Sequence, residues 1–383
     1  MTADSDFVAG IPLGLYVHLP WCIRKCPYCD FNSHQLRGDI PHGAYIDCLL
    51  ADLETDSPAA HGREISSIYM GGGTPSLFPA REIGRLLKGI RACLPVQDGA
   101  EISLEANPGT IEHDSFSAYA DVGVNRVSLG VQSFDDARLE AIGRIHGRAE
   151  VAVSLQSLRR SGINNFNVDL MFGLPGQTHK QALDDMRRAL DSGATHISHY
   201  QLTIEPNTAF AASPPKLPAN DSSWAMQAEA AALLEDAGFG QYEISAWARP
   251  GSACDHNLNY WRYGDFLGIG AGAHAKLSAP GGRVKRLAKS RHPSRYMGGD
   301  VVADEREIDG REIVFEYFLN RLRLRENINP EEFTARTGLP WDWALPGMQT
   351  ALRRGLLASA GSGYSHTDSG WRFVNDLQAL FLP

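Results

Sequence analysis

The sequence predicts an α/β protein whose parallel sheet curls into part of a barrel. Short apolar segments alternate with amphipathic helical segments over the first half of the chain, which is typical of βαβ units. Ile83, Leu86, Leu87 and Ile90 show the helical period directly. Because βαβ crossovers are right-handed, these units are expected to form a partial parallel (β/α)6 barrel. A small winged-helix-like α+β domain should follow at the C-terminus.

The predicted elements follow one another in a regular order. Strands are expected at residues 13–19, 65–70, 101–105, 126–130, 167–172 and 196–203. Helices are expected at residues 42–53, around 83–90, and at 114–121, 151–160 and 181–190. Residues 205–220 hold four prolines and should leave the sheet as a loop. A helix at 222–236 and a strand at 242–245 are expected after this loop.

The chain divides into four parts. These are a tail at 1–12, the partial barrel at 13–220, an extension of the barrel at 221–309 and the C-terminal domain at 310–383. In the last part, Asn329 followed by Pro330 predicts a helix start. Residues 364–365 and 371–374 flank Ser369-Gly370 and are expected to pair as a hairpin. Basic and acidic residues are equal in number there, so no DNA-binding face is expected.

The composition is that of a soluble globular protein. Its 383 residues are 43% hydrophobic and 21% charged, and the net charge of −9 argues against a general nucleic-acid binder. The first twelve residues carry no Lys or Arg, so no signal peptide is predicted. Because no run of about 18 apolar residues is present, no membrane span is predicted either. We therefore expect a cytoplasmic protein with reduced cysteines.

Three of the six cysteines lie in one loop after the first strand. Cys22, Cys26 and Cys29 have the spacing Cys-x3-Cys-x2-Cys, and thiolates are soft ligands that suit zinc or iron–sulfur iron. The spacing differs from the paired CxxC knuckles of structural zinc sites. A zinc site completed by His18 or His34 is the alternative. Cys48 and Cys93 are expected to fill the core, which leaves Cys254 isolated.

Polar or glycine-rich segments follow the predicted strands. In a parallel barrel, ligands bind at the carboxyl ends of the strands, so these side chains should face one site. Taken singly, a tight turn would explain the glycines and a loop cap or salt bridge would explain an acid. The glycine run lacks the Gly-Lys-Ser/Thr ending of a phosphate loop. The candidates are Tyr16, His18, Gly71, Gly72, Gly73, Thr74, Glu105, Gln132, Arg144 and Asp169.

The order of these motifs resembles the radical S-adenosylmethionine (SAM) proteins of the coproporphyrinogen-oxidase-like group. The resemblance covers residues 13–280 and includes YVHLPWC, GGGTPS, LEANPG, GVQS, GRIH and NVDLMFGLPGQT. It implies that Cys22, Cys26 and Cys29 bind three irons of a [4Fe–4S] cluster, while SAM chelates the fourth. It also implies a set of SAM-binding residues: Tyr16, Tyr28, Gly72, Gly73, Thr74, Glu105, Gln132, Arg144 and Asp169.

Three departures separate this chain from the oxidases of that group. The oxidases carry a further cysteine two residues after the third, where this chain has Phe31. Their longer segment before the cluster loop is replaced by only 21 residues. Residues 256–261 resemble the HNxxYW heme motif of the heme chaperone branch, which implies that His256, Tyr260 and Trp261 bind heme. An oxygen-independent coproporphyrinogen III oxidase, or a radical enzyme acting on another substrate, remains the alternative.

The heme motif has a plain structural reading as well. His256 is a plausible axial ligand, but it could equally be a helix-start histidine next to two core aromatics. Part of a basic stretch, expected as a loop, is predicted to meet heme propionates or an acidic surface of a partner, and a solvated loop is the alternative. Its members are Lys276, Arg283, Lys285, Arg286, Lys289, Arg291 and Arg295. Cys254 is a conceivable alternate iron ligand. The expected partners are heme and hemoproteins, some of them membrane-bound, with peripheral membrane association and a homodimer as further expectations.

Overall fold

The computed structural model describes residues 7–109, 114–279 and 282–383, and twelve strands of these residues form one sheet. The strands of the first half are β1 (Leu13–Leu19), β2 (Trp21–Cys22), β3 (His34–Gln35), β4 (Ile65–Gly72), β5 (Val96–Ala106), β6 (Arg126–Gln132), β7 (Asn165–Phe172) and β8 (His196–Gln201). The later strands are β9 (Gly240–Glu243), β10 (Ala246–Ala248), β11 (Asp265–Ile269), β12 (His274–Ala279), β13 (Arg283–Lys289), β14 (Val302–Ile308), β15 (Leu357–Ala360) and β16 (Gly363–His366).

Helices connect the strands as the sequence predicts. The longer helices of the barrel are His42–Asp56, Ala80–Cys93, Arg148–Arg160, His179–Asp191 and Asn220–Asp236. Shorter helices are Phe116–Asp121, Asp136–Ala141, Ala209–Ala212, Asp255–Trp261 and Pro293–Met297. The C-terminal helices are Gly310–Arg321, Pro330–Thr337, Leu345–Arg353, Asp368–Arg372 and Val374–Gln378. Within the described part of the chain, no helix has the length and apolar character of a membrane span.

The sheet is parallel at its centre and antiparallel at both edges. Its strand order is β14-β13-β12-β11-β1-β4-β5-β6-β7-β8-β10-β9, with parallel pairing from β11 to β8. The α/β class and the partial barrel are confirmed. The six predicted parallel strands gain a seventh, β11, which pairs with β1 from Leu13↔Asp265 to Val17↔Ile269. The sequence did not predict this strand, because it pairs with the first strand of the chain. It therefore lies outside the regular alternation of strands and helices from which the other parallel strands were predicted.

The two faces of the central sheet have opposite chemistry. Leu15, Val17 and Leu19 of β1 are fully buried in the main core, packed with apolar residues of the surrounding helices such as Ile83 and Leu86. Because side chains alternate along a strand, Tyr16 and His18 point to the concave face. The concave face is therefore lined with polar and aromatic groups and is available for ligands.

The predicted basic loop is wrong, because most of it forms strands β12 and β13. These strands extend the sheet in antiparallel fashion, and β14 follows them with an acid-rich sequence. Six of the seven basic residues form ion pairs within the described residues: Lys276 with Asp265, Arg283 with Glu307, Lys285 with Glu305, Arg286 with Glu316, Lys289 with Asp52 and Asp56, and Arg295 with Asp300. Alternating charges on neighbouring strands thus stabilise this edge of the sheet.

The C-terminal residues form a second apolar cluster. Tyr317, Phe318, Phe333 and other aromatic residues pack together there, and Asn329 caps the helix Pro330–Thr337 by accepting from the backbone N–H of Glu331 at 2.8 Å. The predicted hairpin about Ser369-Gly370 is wrong. The hairpin is β15–β16, and Thr367 caps the helix Asp368–Arg372 by accepting from the N–H of Gly370 at 3.0 Å. This capping threonine favours a helix over a turn.

Candidate functional site

The carboxyl ends of the parallel strands enclose a cavity of about 420 Å³ beneath the cysteine loop. Most of the residues that the sequence marked for iron, SAM or heme line its walls. They are Cys22, Cys26, Cys29, Tyr28, Gly72, Gly73, Thr74, Glu105, Gln132, Arg144 and Asp169. The topology therefore brings side chains and backbone positions of five successive parallel strands, and of the loops that follow them, to a single site.

The three cysteines are held by partners from different elements. The turn closes with a hydrogen bond from the N–H of Cys29 to the carbonyl of Cys26 at 3.1 Å. The hydroxyl of Thr74 donates to Cys22 Sγ at 3.5 Å, and Arg144 donates to Cys26 Sγ at 3.6 Å. Burial raises the pKa of Cys22 to about 11, so without a metal this thiol is protonated at neutral pH.

The glycine run supports the cysteine loop by close packing. Gly72 has φ of +114°, and a Cβ atom on it would lie 2.6 Å from the ring of His18. A Cβ atom on Gly73 would lie 2.4 Å from the carbonyl oxygen of Trp21. The N–H of Thr74 donates to that same oxygen at 2.8 Å. Glycine is required here because the strand end touches the backbone of the loop.

Glu105 is a carboxylate held inside the cavity without a neutralising cation. It accepts from the hydroxyl of Tyr69 at 2.9 Å and from the N–H of Gly72 at 3.1 Å. Burial, and then the charge of Asp169, raise the pKa of Glu105 to about 7. Among the described residues, neither Lys nor Arg forms an ion pair with it, so a bound cation would stabilise its charged form.

Arg144 joins the cysteine loop to strand β6. Its guanidinium donates to Asn107 Oδ1, to the carbonyl of Gly130 at 2.6 Å and to Cys26. Its Nε is buried and has no hydrogen-bond partner in the part of the chain described. A buried donor without a partner costs free energy, so the site favours a ligand that brings an acceptor such as a carboxylate.

Gln132 and Asp169 complete the cavity on its far side. Gln132 has the unusual φ of +69° for a residue with a side chain, and its Oε1 accepts from the hydroxyl of Tyr200 at 2.7 Å. Asp169 accepts from Ser128 at 3.2 Å and from Asn167 at 2.7 Å. Burial raises the pKa of Asp169. Strained backbone at such a position is typical of binding sites.

Tyr16 lines a neighbouring cavity instead. Its hydroxyl lies 3.0 Å from His18 Nδ1, and Tyr69 from β4 occupies the wall of the cysteine cavity that Tyr16 was expected to share. Sequence reasoning missed Tyr69, Asn107 and Tyr200. Tyr69 could have been found from the strand period, since it precedes Gly71 by two residues and so shares its face. Asn107 lies within the LEANPG motif, two residues after Glu105.

The neighbouring cavity measures about 640 Å³ and opens toward strands β11 to β13. Phe31, Gly72 and Glu105 line both cavities, so the two share one wall. Of the three heme-motif residues, only Tyr260 lines this second cavity. Trp261 stacks under the guanidinium of Arg323 at 4.5 Å.

His256 lies at the start of the helix Asp255–Trp261 and is only 1% exposed. Its Nδ1 lies 2.9 Å from the hydroxyl of Ser67, and its ring stacks with that of Tyr69 at 5.2 Å. Burial lowers the pKa of His256 to about 3, so the imidazole is neutral. Its Nε2 is buried without a partner within the described residues. Cys254 is fully buried, and its thiol donates to Glu101 at 3.3 Å.

The residues of the first cavity fit an iron–sulfur cluster and SAM. Across the described residues, no three Cys, His, Asp or Glu side chains are close enough to share a single metal ion. Three thiols around one cavity suit a [4Fe–4S] cluster better than a single metal ion, because each thiolate can bind a different iron of the cluster. The uncompensated carboxylate of Glu105 suits the cationic sulfonium or ammonium of SAM, and the free Nε of Arg144 suits its carboxylate.

Comparison with known proteins agrees with this geometry. The family model described as the Radical SAM superfamily matches residues 16–189, and that of the HemN C-terminal domain matches residues 308–373. The chain is 48% identical over 371 residues to the heme chaperone HemW of Escherichia coli (strain K12), covering 97% of this chain and 98% of the relative. It is 46% identical over 375 residues to HemW of Haemophilus influenzae, with 97% and 98% covered.

A solved structure supports the fold. Coproporphyrinogen III oxidase (HemN) from Escherichia coli superposes with a TM-score of 0.82 at 23% identity, over 99% of this chain and 92% of that chain. At this identity the likeness concerns the fold alone. Radical SAM proteins use SAM and a [4Fe–4S] cluster, and the relatives match this chain from end to end. The chain therefore belongs to the HemW family of radical SAM proteins.

Proposed function

We propose that this protein is a heme chaperone, which binds heme and delivers it to hemoproteins. The observation that carries the proposal is its 48% identity, over 97% of the chain, to a relative named heme chaperone HemW. The second cavity supports it, since it adjoins the cluster cavity and its size lies within the usual range of small-molecule sites. The protein would act in the cytoplasm, with acceptors that include membrane-bound hemoproteins.

The resident cofactors would occupy the first cavity. Cys22, Cys26 and Cys29 would hold the cluster, and Arg144 and Glu105 would bind the charged ends of SAM. The other proposed SAM contacts that line this cavity are Tyr28, Gly72, Gly73, Thr74, Gln132 and Asp169. Tyr16, which the resemblance also implies, lines the second cavity and would have to turn toward the first to meet SAM. When bound, the cluster and SAM supply one-electron chemistry or a gate for heme transfer. The side chains that line the cavity would bind the nucleotide and fix its orientation.

The alternative is an oxygen-independent coproporphyrinogen III oxidase. Phe31 argues against it, because the oxidases of the resembling group place a cysteine here and a phenyl ring offers neither a ligand nor a hydrogen bond. Phe31 is 66% exposed and stands where the two cavities meet. An aromatic ring in that position suits a flat apolar cargo.

The test is an anaerobic reconstitution followed by hemin titration. We expect about four irons per chain, one bound SAM, a hemin absorption band that saturates, and transfer of that hemin to an apo-hemoprotein. If a Cys26→Ala variant still binds hemin but no longer transfers it to the apo-hemoprotein, the cluster is required for heme transfer and not for heme binding. Conversion of coproporphyrinogen III to protoporphyrinogen by the reconstituted protein would refute the chaperone assignment. Size-exclusion chromatography with and without hemin would test the proposed homodimer.

The helix Asp255–Trp261 would contribute to the heme site through Tyr260. His256, proposed from the motif as an axial ligand, is enclosed by Tyr16 and Tyr69 and would have to leave this position to reach iron. His256→Ala is therefore an informative variant. If the hemin spectra of this variant are unchanged, His256 does not bind the iron and only packs inside the barrel. If the spectra show that an axial ligand is lost, His256 binds the iron.

A further inference from the structure

We propose that the second cavity is the heme chamber, that His274 supplies the axial imidazole and that Arg291 meets a propionate. The inference rests on the proposed function, because it assigns the site at which the cargo binds. Neither residue belongs to the HNxxYW motif or to the cluster loop. His274 lies on β12 and Arg291 lies two residues after β13, and both line the cavity that shares Phe31, Gly72 and Glu105 with the proposed SAM cavity.

The chamber lies on the concave face of the sheet. Phe266 pairs with Lys276 across β11 and β12, and paired residues project to the same side. His274 stands two residues from Lys276 and opposite Ala288, so its side chain shares that face. The ring of Phe266 packs edge-on against Tyr260 at 4.3 Å, which gives the chamber an aromatic wall suited to a porphyrin.

His274 is exposed and has no hydrogen-bond partner among the described residues, which distinguishes it from the other histidines of the concave face. His18 is held between Tyr16 and the carbonyl of Asn32, at 3.0 and 2.8 Å. His256 is 1% exposed behind the tyrosines. Burial lowers the pKa of His274, as do Arg286 and Arg291, so its nitrogen remains free for iron at neutral pH.

Arg291 is the one member of the basic stretch without an ion pair in the described part of the chain. The backbone of Arg291 is fixed, because its carbonyl accepts from Asn32 at 2.9 Å and from His34 at 3.1 Å. Arg291 is exposed and lines the chamber, and its charge lowers the pKa of His274. A carboxylate of the ligand would supply the missing counter-charge as a charge-assisted hydrogen bond.

These features together match heme better than another small molecule. The chamber offers an aromatic wall, one free imidazole and one unpaired cation, which are the three groups that a porphyrin plane, its iron and its propionates require. Glu105 and Gly72 separate it from the SAM cavity by a single layer of residues. Cargo and nucleotide would thus bind on opposite sides of one wall.

The experiment titrates hemin into the cluster-loaded full chain and into its variants, followed by absorption and electron paramagnetic resonance spectroscopy. For His274→Ala we expect loss of the imidazole-ligated spectrum and about tenfold weaker binding, which added imidazole should partly restore. For Arg291→Ala we expect a retained spectrum and roughly three- to tenfold weaker binding. Ala288→Trp should block binding by filling the chamber while leaving His274 in place.

Matched surface variants provide the controls. His61→Asn removes an exposed histidine at φ of +51°, where asparagine is tolerated, and Arg81→Ala removes an arginine whose side chain is 83% exposed. Both should bind hemin as the wild type does. If the wild type binds hemin and the variants His274→Ala and Ala288→Trp bind it with the same affinity and spectra, the assignment is overturned. A wild type that binds no hemin would instead refute the proposed function itself.

Discussion

Glu105 is expected to affect two properties in opposite directions: its ionised form destabilises the empty protein and favours the binding of SAM. The variant Glu105→Gln should therefore be more stable than the wild type and bind SAM more weakly. The carboxyl group has a pKa of about 7 in the folded protein, against about 4.5 for the same group in the unfolded chain. A raised pKa in an acid means that the folded state prefers the proton. The contribution of Glu105 to stability is therefore highest below about pH 4.5 and is lost as pH rises through 7, because the buried group must then ionise.

The size of this effect follows from the shift in pKa. A difference of about 2.5 units corresponds to roughly 3 kcal/mol of lost stability well above pH 7. Glu105→Gln removes that ionisation and keeps an acceptor for the N–H of Gly72. We expect the variant to be more stable than the wild type by about 1 to 3 kcal/mol at pH 8, and equal to it near pH 4.5.

The same substitution should weaken SAM binding. If the cationic ligand needs the ionised carboxylate, the apparent affinity of the wild type should fall about tenfold between pH 8 and pH 6, because a pKa of about 7 leaves one tenth of the groups ionised at pH 6. The variant should bind SAM weakly at both pH values. Denaturant unfolding and calorimetric titration of the cluster-loaded protein measure the two effects.

Asp185 supplies the matched control. It is buried, its pKa is raised to about 6, and it accepts from Ser133 and from the N–H of Phe134 away from the cavity. Asp185→Asn should alter stability while leaving the pH dependence of SAM binding intact. The reasoning about Glu105 is refuted if Glu105→Gln destabilises the empty protein at pH 8, or if wild-type SAM binding is flat from pH 6 to pH 8.

Three further substitutions test other parts of the structure. Gly73→Ala places a Cβ atom 2.4 Å from the carbonyl oxygen of Trp21, so it should displace the cysteine loop and lower the iron content measured after reconstitution. Arg144→Lys loses the planar fork that contacts three acceptors and should weaken SAM binding roughly tenfold in calorimetry while iron content changes little. Lys289→Met leaves the carboxylate of Asp52 buried without its cation, and should cost about 3 to 5 kcal/mol in denaturant unfolding.

The barrel and most of the residues that line the first cavity were predictable because their signals are local. Most of the predicted parallel strands carry apolar residues at alternate positions, and the candidate side chains lie near the strand ends or in the segments that follow them. Cys22, Glu105 and Asp169 could thus be assigned to one edge before any pairing was known. The order of the parallel strands could then be predicted from the right-handedness of βαβ crossovers alone.

The extension of the sheet was not predictable for the opposite reason. Strand β11 pairs with β1 although the rest of the barrel lies between them in the sequence, and β12 and β13 carry lysines and arginines that resemble a solvated loop. Those side chains are compatible with strands because β11, β14, the helix His42–Asp56 and the C-terminal domain bring the matching acids. Lys276, for example, is 1% exposed, and its buried charge is neutralised by an ion pair with Asp265. The sequence alone does not show that these two residues are in contact.

The extension also explains how one sheet provides two chambers. A parallel barrel of six strands has one ligand-binding mouth, which here receives the cysteine loop. Strand β11 pairs with β1 and extends the concave face of the sheet beyond Tyr16. Residues of β11 and β12 then form one wall of the second cavity. Phe31, Gly72 and Glu105 then form a partition with a cavity on each side. If SAM occupies the first chamber, its positive charge would favour the ionised form of Glu105, and the second chamber would then face a charged wall. By linkage, any effect of SAM on the affinity for cargo must equal the effect of cargo on the affinity for SAM.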